Sequence, residues 1–175
     1  MNKFSAPDRQ REIYTTGVSG MKPVIPFDNA ALVEKARRNM SKEAFAYIAG
    51  GAGIQHSVEN NRNDFNKWRI VPRMLQDVSE RDTSVELFGQ KLSIPLLLSP
   101  VGVLEMVNKE ADIAVAKAAS SLGVPMIFSN QASRSMEATS AVMQDSHRWF
   151  QLYWSKSNEL VESLVKRAEK SGCSA

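Results

Sequence analysis

The sequence predicts an α/β fold built on consecutive parallel strands, and three observations predict it. From residue 94 onward, short continuous apolar runs (94–99, 125–129 and 149–153) alternate with helical stretches (109–122, 136–143 and 159–170). The runs do not alternate polar with apolar residues. That fits strands covered on both faces, as in parallel sheets. Glycines at 123 and 172 stop the first and third of these helices. The order is therefore β-α-β-α-β-α with right-handed connections. That pattern serves both closed barrels and open doubly wound sheets, and spacing alone does not choose between them.

The remaining elements follow in chain order. Residues 1–27 read as an extended arm, punctuated by Gly17, Gly20, Pro23 and Pro26. Residues 28–93 form a second region of helices followed by a β-hairpin. Asp28 is a good N-cap for a helix running to Asn39. Ser41 caps another over residues 42–49, which Gly50 and Gly51 end by taking the left-handed conformation. A further helix over residues 57–70 would lay Val58, Phe65 and Trp68 on a core, until Pro72 breaks the segment. Val85 and Leu87 precede Phe88-Gly89-Gln90, the pattern of a hairpin. Residues 94–175 then carry the βα units, with Val115, Ala118, Ala119 and Leu122 inward on the first helix. Leu160, Leu164 and Ala168 take that place on the third, where Ser157 is the cap.

Composition narrows the function. The 175 residues carry a formal charge of +3, with no run of Lys and Arg interleaved with aromatics, so nucleic acid is not an expected partner. The single cysteine, Cys173, rules out an internal disulfide and a Cys-rich metal site. Residues 1–5 lead into no apolar core of a secretory signal. The apolar run at 94–98 is too short for a bilayer. The expectation is a cytoplasmic, soluble protein without a membrane partner.

In parallel α/β folds, ligands meet the carboxyl ends of the strands. Those ends are Ser99-Pro100-Val101-Gly102, Ser129-Asn130-Gln131 and Gln151-Leu152-Tyr153. Hydroxyl and amide groups with a close-approach glycine suit a flat heteroaromatic ring; ordinary strand-end polar groups are the simpler reading. Gly50-Gly51-Ala52-Gly53 follows a helix rather than a strand, so it reads as a helix stop and not a phosphate cradle. His56 and His147 lack a third ligand at metal spacing, so no metal is expected. By pattern alone Tyr47, between Phe45 and Ile48, is a core aromatic.

Taken together, several segments resemble one family. Tyr47-Ile-Ala-Gly-Gly-Ala-Gly53, Asn61, Phe65, Val71-Pro-Arg-Met-Leu75 and Asp77-Val-Ser79 are similar to the N-terminal signature of FMN-dependent 2-hydroxy-acid dehydrogenases and oxidases. Pro95-Leu-Leu-Leu-Ser-Pro-Val-Gly102, Ser129 with Ala132-Ser133, and Phe150-Gln-Leu-Tyr153 resemble its first three strands. Arg167-Ala-Glu169 with Gly172 resembles its third helix. Glu12-Ile-Tyr14, the Pro23 arm and Glu80–Leu87 are most similar to the lactate oxidase and lactate 2-monooxygenase members.

The resemblance implies a partial TIM (β/α)8 barrel, about its first three βα units, preceded by the helical segment and hairpin. It implies FMN at the strand ends and oxidation of a lactate-like L-2-hydroxy acid to the 2-oxo acid. By position, Pro100, Val101 and Gly102 match the loop lying against the flavin, and Ser129 and Gln151 match its hydrogen-bonding partners. Tyr47 matches the tyrosine that binds the substrate carboxylate. Tyr153 matches a catalytic tyrosine beside the substrate hydroxyl, and Gln131 a position shaping the substrate pocket. The resemblance also implies reoxidation by oxygen or another acceptor, and a homotetramer in the intact protein.

The family's base histidine, substrate arginines, flavin lysine and phosphate loops match no residue here, so the expectation is an N-terminal portion, inactive alone. Two alternatives differ in class or chemistry: a non-catalytic truncated chain stable only with a partner, and an FMN barrel isomerase, against which Tyr47 argues. A barrel arc leaves apolar faces and strand edges open. The isolated 175-residue chain is therefore expected to be poorly soluble or molten, and, because the family's phosphate loops match no residue here, to lack tight FMN binding. A sharp urea transition on soluble monomer would contradict this.

Overall fold

A computed structural model describes residues 6–175. The first five positions of the expected arm, and the expectation of no signal there, lie outside the described residues. The chain divides into two compact units, Met1–Trp68 and Arg69–Ala175.

The first unit is helical. Contrary to the extended arm read from sequence, a helix α1 spans Ala6–Val18. Pro7 sits in its first turn, where a missing N–H costs nothing. Ion pairs Arg9–Glu12 and Arg11–Asp8 span single turns, and the Thr16 hydroxyl donates to the Glu12 carbonyl at 2.7 Å. Gly20 is not a breaker of extended chain. At φ +74° it closes the helix end, with Met21 N–H on the Thr16 carbonyl at 3.1 Å.

Helix α2 (Asn29–Asn39) starts at Asp28, whose carboxylate accepts from Ala31 N–H at 2.7 Å. Helix α3 (Lys42–Ala49) starts at Ser41, whose hydroxyl accepts from Ala44 N–H at 3.1 Å. Both caps match the sequence reading. The stop after α3 works differently from expectation. Gly50 is extended, at φ −78°, and is needed for close approach, since a Cβ there would lie 2.6 Å from the Ala46 carbonyl oxygen. A Cβ on Gly51 would lie 2.3 Å from Val58 Cγ2. Helix α4 (His56–Asn63) and a 3-10 turn, Asp64–Lys67, follow. Val58, Phe65 and Trp68 are exposed there rather than on a core.

The second unit carries the sheet elements. Strands β1 (Val85–Leu87) and β2 (Gln90–Leu92) form the expected antiparallel hairpin. Its turn residues, Phe88 and Gly89, both have positive φ, which suits the twist of a tight hairpin. Strand β3 (Met126–Ser129) pairs in parallel with β4 (Arg148–Gln151), with Ser129 opposite Gln151. Residues 94–99 do not form the full strand read from sequence; they make one parallel bridge, Leu98 to Met126. Pro95 within this segment and Pro100 just after it lack backbone donors, which leaves a short stretch able to pair. Its two bonds are Leu98 N–H to the Pro125 carbonyl and Ile127 N–H to the Leu98 carbonyl, at 2.9 and 3.0 Å. On the far side of β4, Ser174 N–H reaches the Arg148 carbonyl at 3.1 Å and Phe150 N–H reaches the Ala175 carbonyl at 2.8 Å. Neighbouring segments are thus in chain order. β4 ends at Gln151, so Leu152 and Tyr153 lie beyond the strand.

Helices α5 (Ala111–Leu122), α6 (Met136–Met143) and α7 (Asn158–Lys170) connect and cover these strands. Ser135 and Ser157 cap α6 and α7, and Gly123 ends α5 at φ +66°. Ala116, Ala119, Met126, Phe128, Met136, Met143 and Ala168 form the core. The inward faces differ in part from the sequence reading. Ala116 rather than Ala118 is buried on α5, and Val161 rather than Leu160 on α7, while Leu122 and Leu160 are exposed. Apolar spacing leaves the rotation of a helix free by about one residue, and small alanines let α5 settle close to the strands. On the opposite strand face, Trp149 meets Phe88 of the hairpin edge-on, at 5.1 Å between ring centroids.

Arg167 of α7 holds Glu137 of α6 through two bonds of 2.7 and 2.9 Å. That guanidinium holds the Glu137 carboxyl down at about 2, below its ordinary 4.5. A folded value below the unfolded one stabilises fully above the unfolded value, and the contribution fades as pH falls through the folded value. The melting-temperature advantage of wild type over Arg167→Met is expected to shrink as pH drops from about 4.5 to about 2, as thermal melts in that window would show.

Candidate functional site

The carboxyl ends of the parallel segments bring four of the sequence-predicted residues together. Parallel register sets Ser129 beside Gln151 on one strand face, while Phe128 turns to the helices. The Gln151 carboxamide oxygen accepts from Asn130 N–H at 3.3 Å and from the Ser129 hydroxyl at 3.5 Å. The Ser129 hydroxyl in turn accepts from Gln131 N–H at 3.1 Å. Gly102 comes alongside: a Cβ there would lie 2.9 Å from Gln131 Cβ and 3.7 Å from Ser129 Oγ. Val103 N–H donates to the Gln131 carbonyl at 2.9 Å.

Val103 adopts the left-handed conformation, φ 48° and ψ 35°, which costs a β-branched residue about 1–3 kcal/mol. Such a conformation persists only where its surroundings fix it. Three contacts do so here. Gly102 abuts Gln131, Val103 itself is bonded to Gln131, and Glu105 N–H donates to the Ser133 hydroxyl at 3.0 Å.

The other predicted residues are more open. Pro100 is half-buried, and Val101 is exposed on its loop. Tyr153 follows β4 and is 59% exposed. Tyr47 belongs to α3 in the first unit and is 65% exposed, which does not match a core aromatic. His147 precedes β4, at the end of the strands opposite Ser129 and Gln151, and His56 opens α4. Among the described residues no group of three or more His, Cys, Asp or Glu could hold a metal. No helix among them is long and apolar enough to cross a membrane. The half-buried Cys173 thiol is pushed up to about 11 by burial, which keeps it protonated and unreactive.

Sequence reading missed the support behind the loops. Asp112 in the first turn of α5 is 2% exposed, and one of its oxygens accepts Ser133 N–H at 2.9 Å and Arg134 N–H at 3.0 Å. The Arg134 guanidinium extends to Glu105 at 2.9 Å and to the Lys109 carbonyl at 2.6 Å. It holds the Glu105 carboxyl below its ordinary range. A cavity of about 220 Å³ opens between Ser129, Asn130, Ser133, Thr139 and Arg167, and the buried Asn130 Oδ1 makes no hydrogen bond.

These features define a class: a parallel α/β protein whose strand ends present hydroxyl and amide groups beside a tightly approached backbone. The comparisons narrow it. The family model for FMN-dependent dehydrogenases matches residues 36–175. An FMN-dependent alpha-hydroxy acid dehydrogenase of Penicillium citrinum is 40% identical over 164 residues, 93% of this chain and 41% of its own length. An L-lactate oxidase of Lysinibacillus sphaericus is 42% identical over 131 residues, 75% of this chain and 34% of its own. A crystal structure of mandelate oxidase with 3,3-difluoro-2-hydroxy-3-phenylpropionic acid superposes with a TM-score of 0.77 at 35% identity, covering 82% of this chain and 43% of the other. The first two figures of that match recur with (S)-2-phenylpropionate bound, covering 42% of the other chain. The chain belongs to the FMN-dependent dehydrogenase family, whose cofactor is FMN. It spans 34% to 43% of the length of these relatives.

The residues present fit that cofactor. With its oxygen committed to Asn130, Gln151 has its two N–H donors to offer. Those donors, the Ser129 hydroxyl and the backbone beside Gly102 are what the polar edge and flat face of an isoalloxazine need.

Gly102→Ala tests the close approach. Its Cβ would press on Gln131 at 2.9 Å, so Gln131 or the loop must shift. The substitution is expected to weaken flavin retention by about tenfold, as measured by flavin fluorescence on dialysis of the holoprotein.

Proposed function

We propose that this chain forms the flavin-edge part of an enzyme that oxidises a lactate-like L-2-hydroxy acid to the 2-oxo acid. The observation that carries the reading is the convergence of Gly102, Ser129 and Gln151 at the carboxyl ends of parallel segments. Chain-order neighbours from Leu98 to Ala175 favour the first arc of a (β/α)8 barrel.

When bound, FMN supplies the two-electron acceptor. Ser129 and Gln151 hold its polar rim, and the backbone of Pro100, Val101 and Gly102 lies against the ring. Tyr153, two residues past Gln151, donates toward the substrate hydroxyl. Tyr47 takes the substrate carboxylate, and Gln131 shapes the side-chain pocket. His147 lies at the end of β4 opposite Ser129 and Gln151, and by family resemblance the base, the substrate arginines and the phosphate loops match no residue of this chain. Reoxidation is by oxygen or another acceptor, and the intact protein is a homo-oligomer, a tetramer by family resemblance.

A second reading, a non-catalytic chain stabilised by a partner, draws on one observation. Ile70, Val71, Met74, Leu75 and Val78 are all more than half exposed along one stretch. Apolar exposure on that scale asks for a cover.

The test is anaerobic addition of L-lactate to the flavin-loaded full-length protein. Bleaching of the yellow absorbance is expected, with Tyr153→Phe slowing it by about tenfold or more. Gln151→Leu is expected to weaken FMN binding by a similar factor. Retained yellow colour with no bleaching by lactate or other 2-hydroxy acids would remove the enzymatic reading.

A further inference from the structure

We propose that Asp112 is a positioning residue for the flavin, setting the geometry of both loops that face it. The inference rests on the flavin reading of the strand ends. Asp112 touches none of the residues assigned to the ring. It acts on the loop after β3 directly and on the loop after residue 99 through intermediates.

The direct part is geometric. One carboxylate oxygen takes two consecutive backbone donors, Ser133 N–H and Arg134 N–H, at 2.9 and 3.0 Å. This fixes the peptide planes just after Gln131 and turns the chain into α6. Bonds from backbone N–H to a carboxylate are short and strong, and burial at 2% exposure shields these from competing water. Asp112 itself is held by α5, whose Ala116 and Ala119 pack on the strands. The loop is therefore referenced to the core and not to solvent.

The indirect part runs through two branches. Ser133, anchored by its own N–H, offers its hydroxyl to Glu105 N–H at 3.0 Å. Arg134, anchored likewise, reaches Glu105 at 2.9 Å and the Lys109 carbonyl at 2.6 Å. Both branches end on the segment that follows Val103. That residue's left-handed backbone, at φ 48°, sets the direction of Val101 and Gly102. Releasing the carboxylate therefore frees the two loops together. A burial role alone predicts only lower stability; a positioning role predicts a changed flavin environment as well.

The experiment titrates FMN into the full-length apoprotein of wild type and variants by fluorescence quenching, with visible circular dichroism of the bound flavin and a thermal melt. Asp112→Ala is expected to weaken FMN binding by about tenfold or more and to alter the flavin dichroism. Asp112→Asn keeps an oxygen acceptor and recovers most of both. Met143→Ala, a core change away from the loops, lowers the melting temperature with affinity and dichroism unchanged. Should Asp112→Ala not fold, Arg134→Ala cuts only the outer branch and is expected to weaken FMN by about threefold. An Asp112→Ala or Arg134→Ala protein that melts earlier but binds FMN with wild-type affinity and dichroism overturns the proposal. A wild-type protein that takes up no FMN overturns the flavin reading beneath it, a separate outcome.

Discussion

The parallel pairing of β3 with β4 is the constraint on which the rest of the molecule turns, because strand side chains alternate with period two. Met126 and Phe128 face the helices and help form the core, so Ser129 is held on the other face, beside its partner Gln151. A slip of one residue would carry Phe128 to the site face and bury the Ser129 hydroxyl among Met136 and Met143. The free energy of burying two large side chains thus secures the direction of two small polar ones. Packing by α5 and α6 fixes this register, and the turn that follows β3 is set by the helix beside it.

The same logic explains where sequence reading succeeds and where it stops. Caps are local, so Asp28, Ser41 and Ser157 announce their helices, and the structure starts helices at each. Strand ends are local too, so Gly102, Ser129 and Gln151 could be named from sequence as strand-end groups, and the structure brings them together. What depends on a distant partner was not readable. The segment at 94–99 has the composition of a strand, yet Pro95 within it, Pro100 just after it and one pairing neighbour leave it a single bridge. On α7, the choice of Val161 over Leu160 as the inward residue is made by what it packs against. Gly20 and Gly50 show a subtler limit. A glycine marks a chain reversal or a helix end, but whether it turns left-handed, as Gly20 does, or yields room, as Gly50 does, depends on neighbouring carbonyls.

Asp112 escaped for a further reason. Its partners are backbone N–H groups, which every residue but proline carries, so no side-chain pattern marks them. In sequence it is one more acidic residue in the first turn of a helix, where favourable interaction with the helix dipole is explanation enough. Only burial and the two convergent donors separate it from an ordinary surface carboxylate.

The arrangement of charge follows from this. Ser129, Gln151 and the backbone at Gly102 are neutral, so the strand ends offer hydrogen bonds without a fixed charge. The negative charge of Asp112 is met by two backbone donors and lies near the Arg134 guanidinium, which is also paired to Glu105. For the flavin proposed at these strand ends, that compensation matters. A ring that takes up two electrons gains negative charge, and an unbalanced carboxylate close by would oppose it. A carboxylate can therefore brace these loops only if its charge is spent on the loops themselves. With both donors directed at one oxygen and an arginine alongside, Asp112 meets that condition.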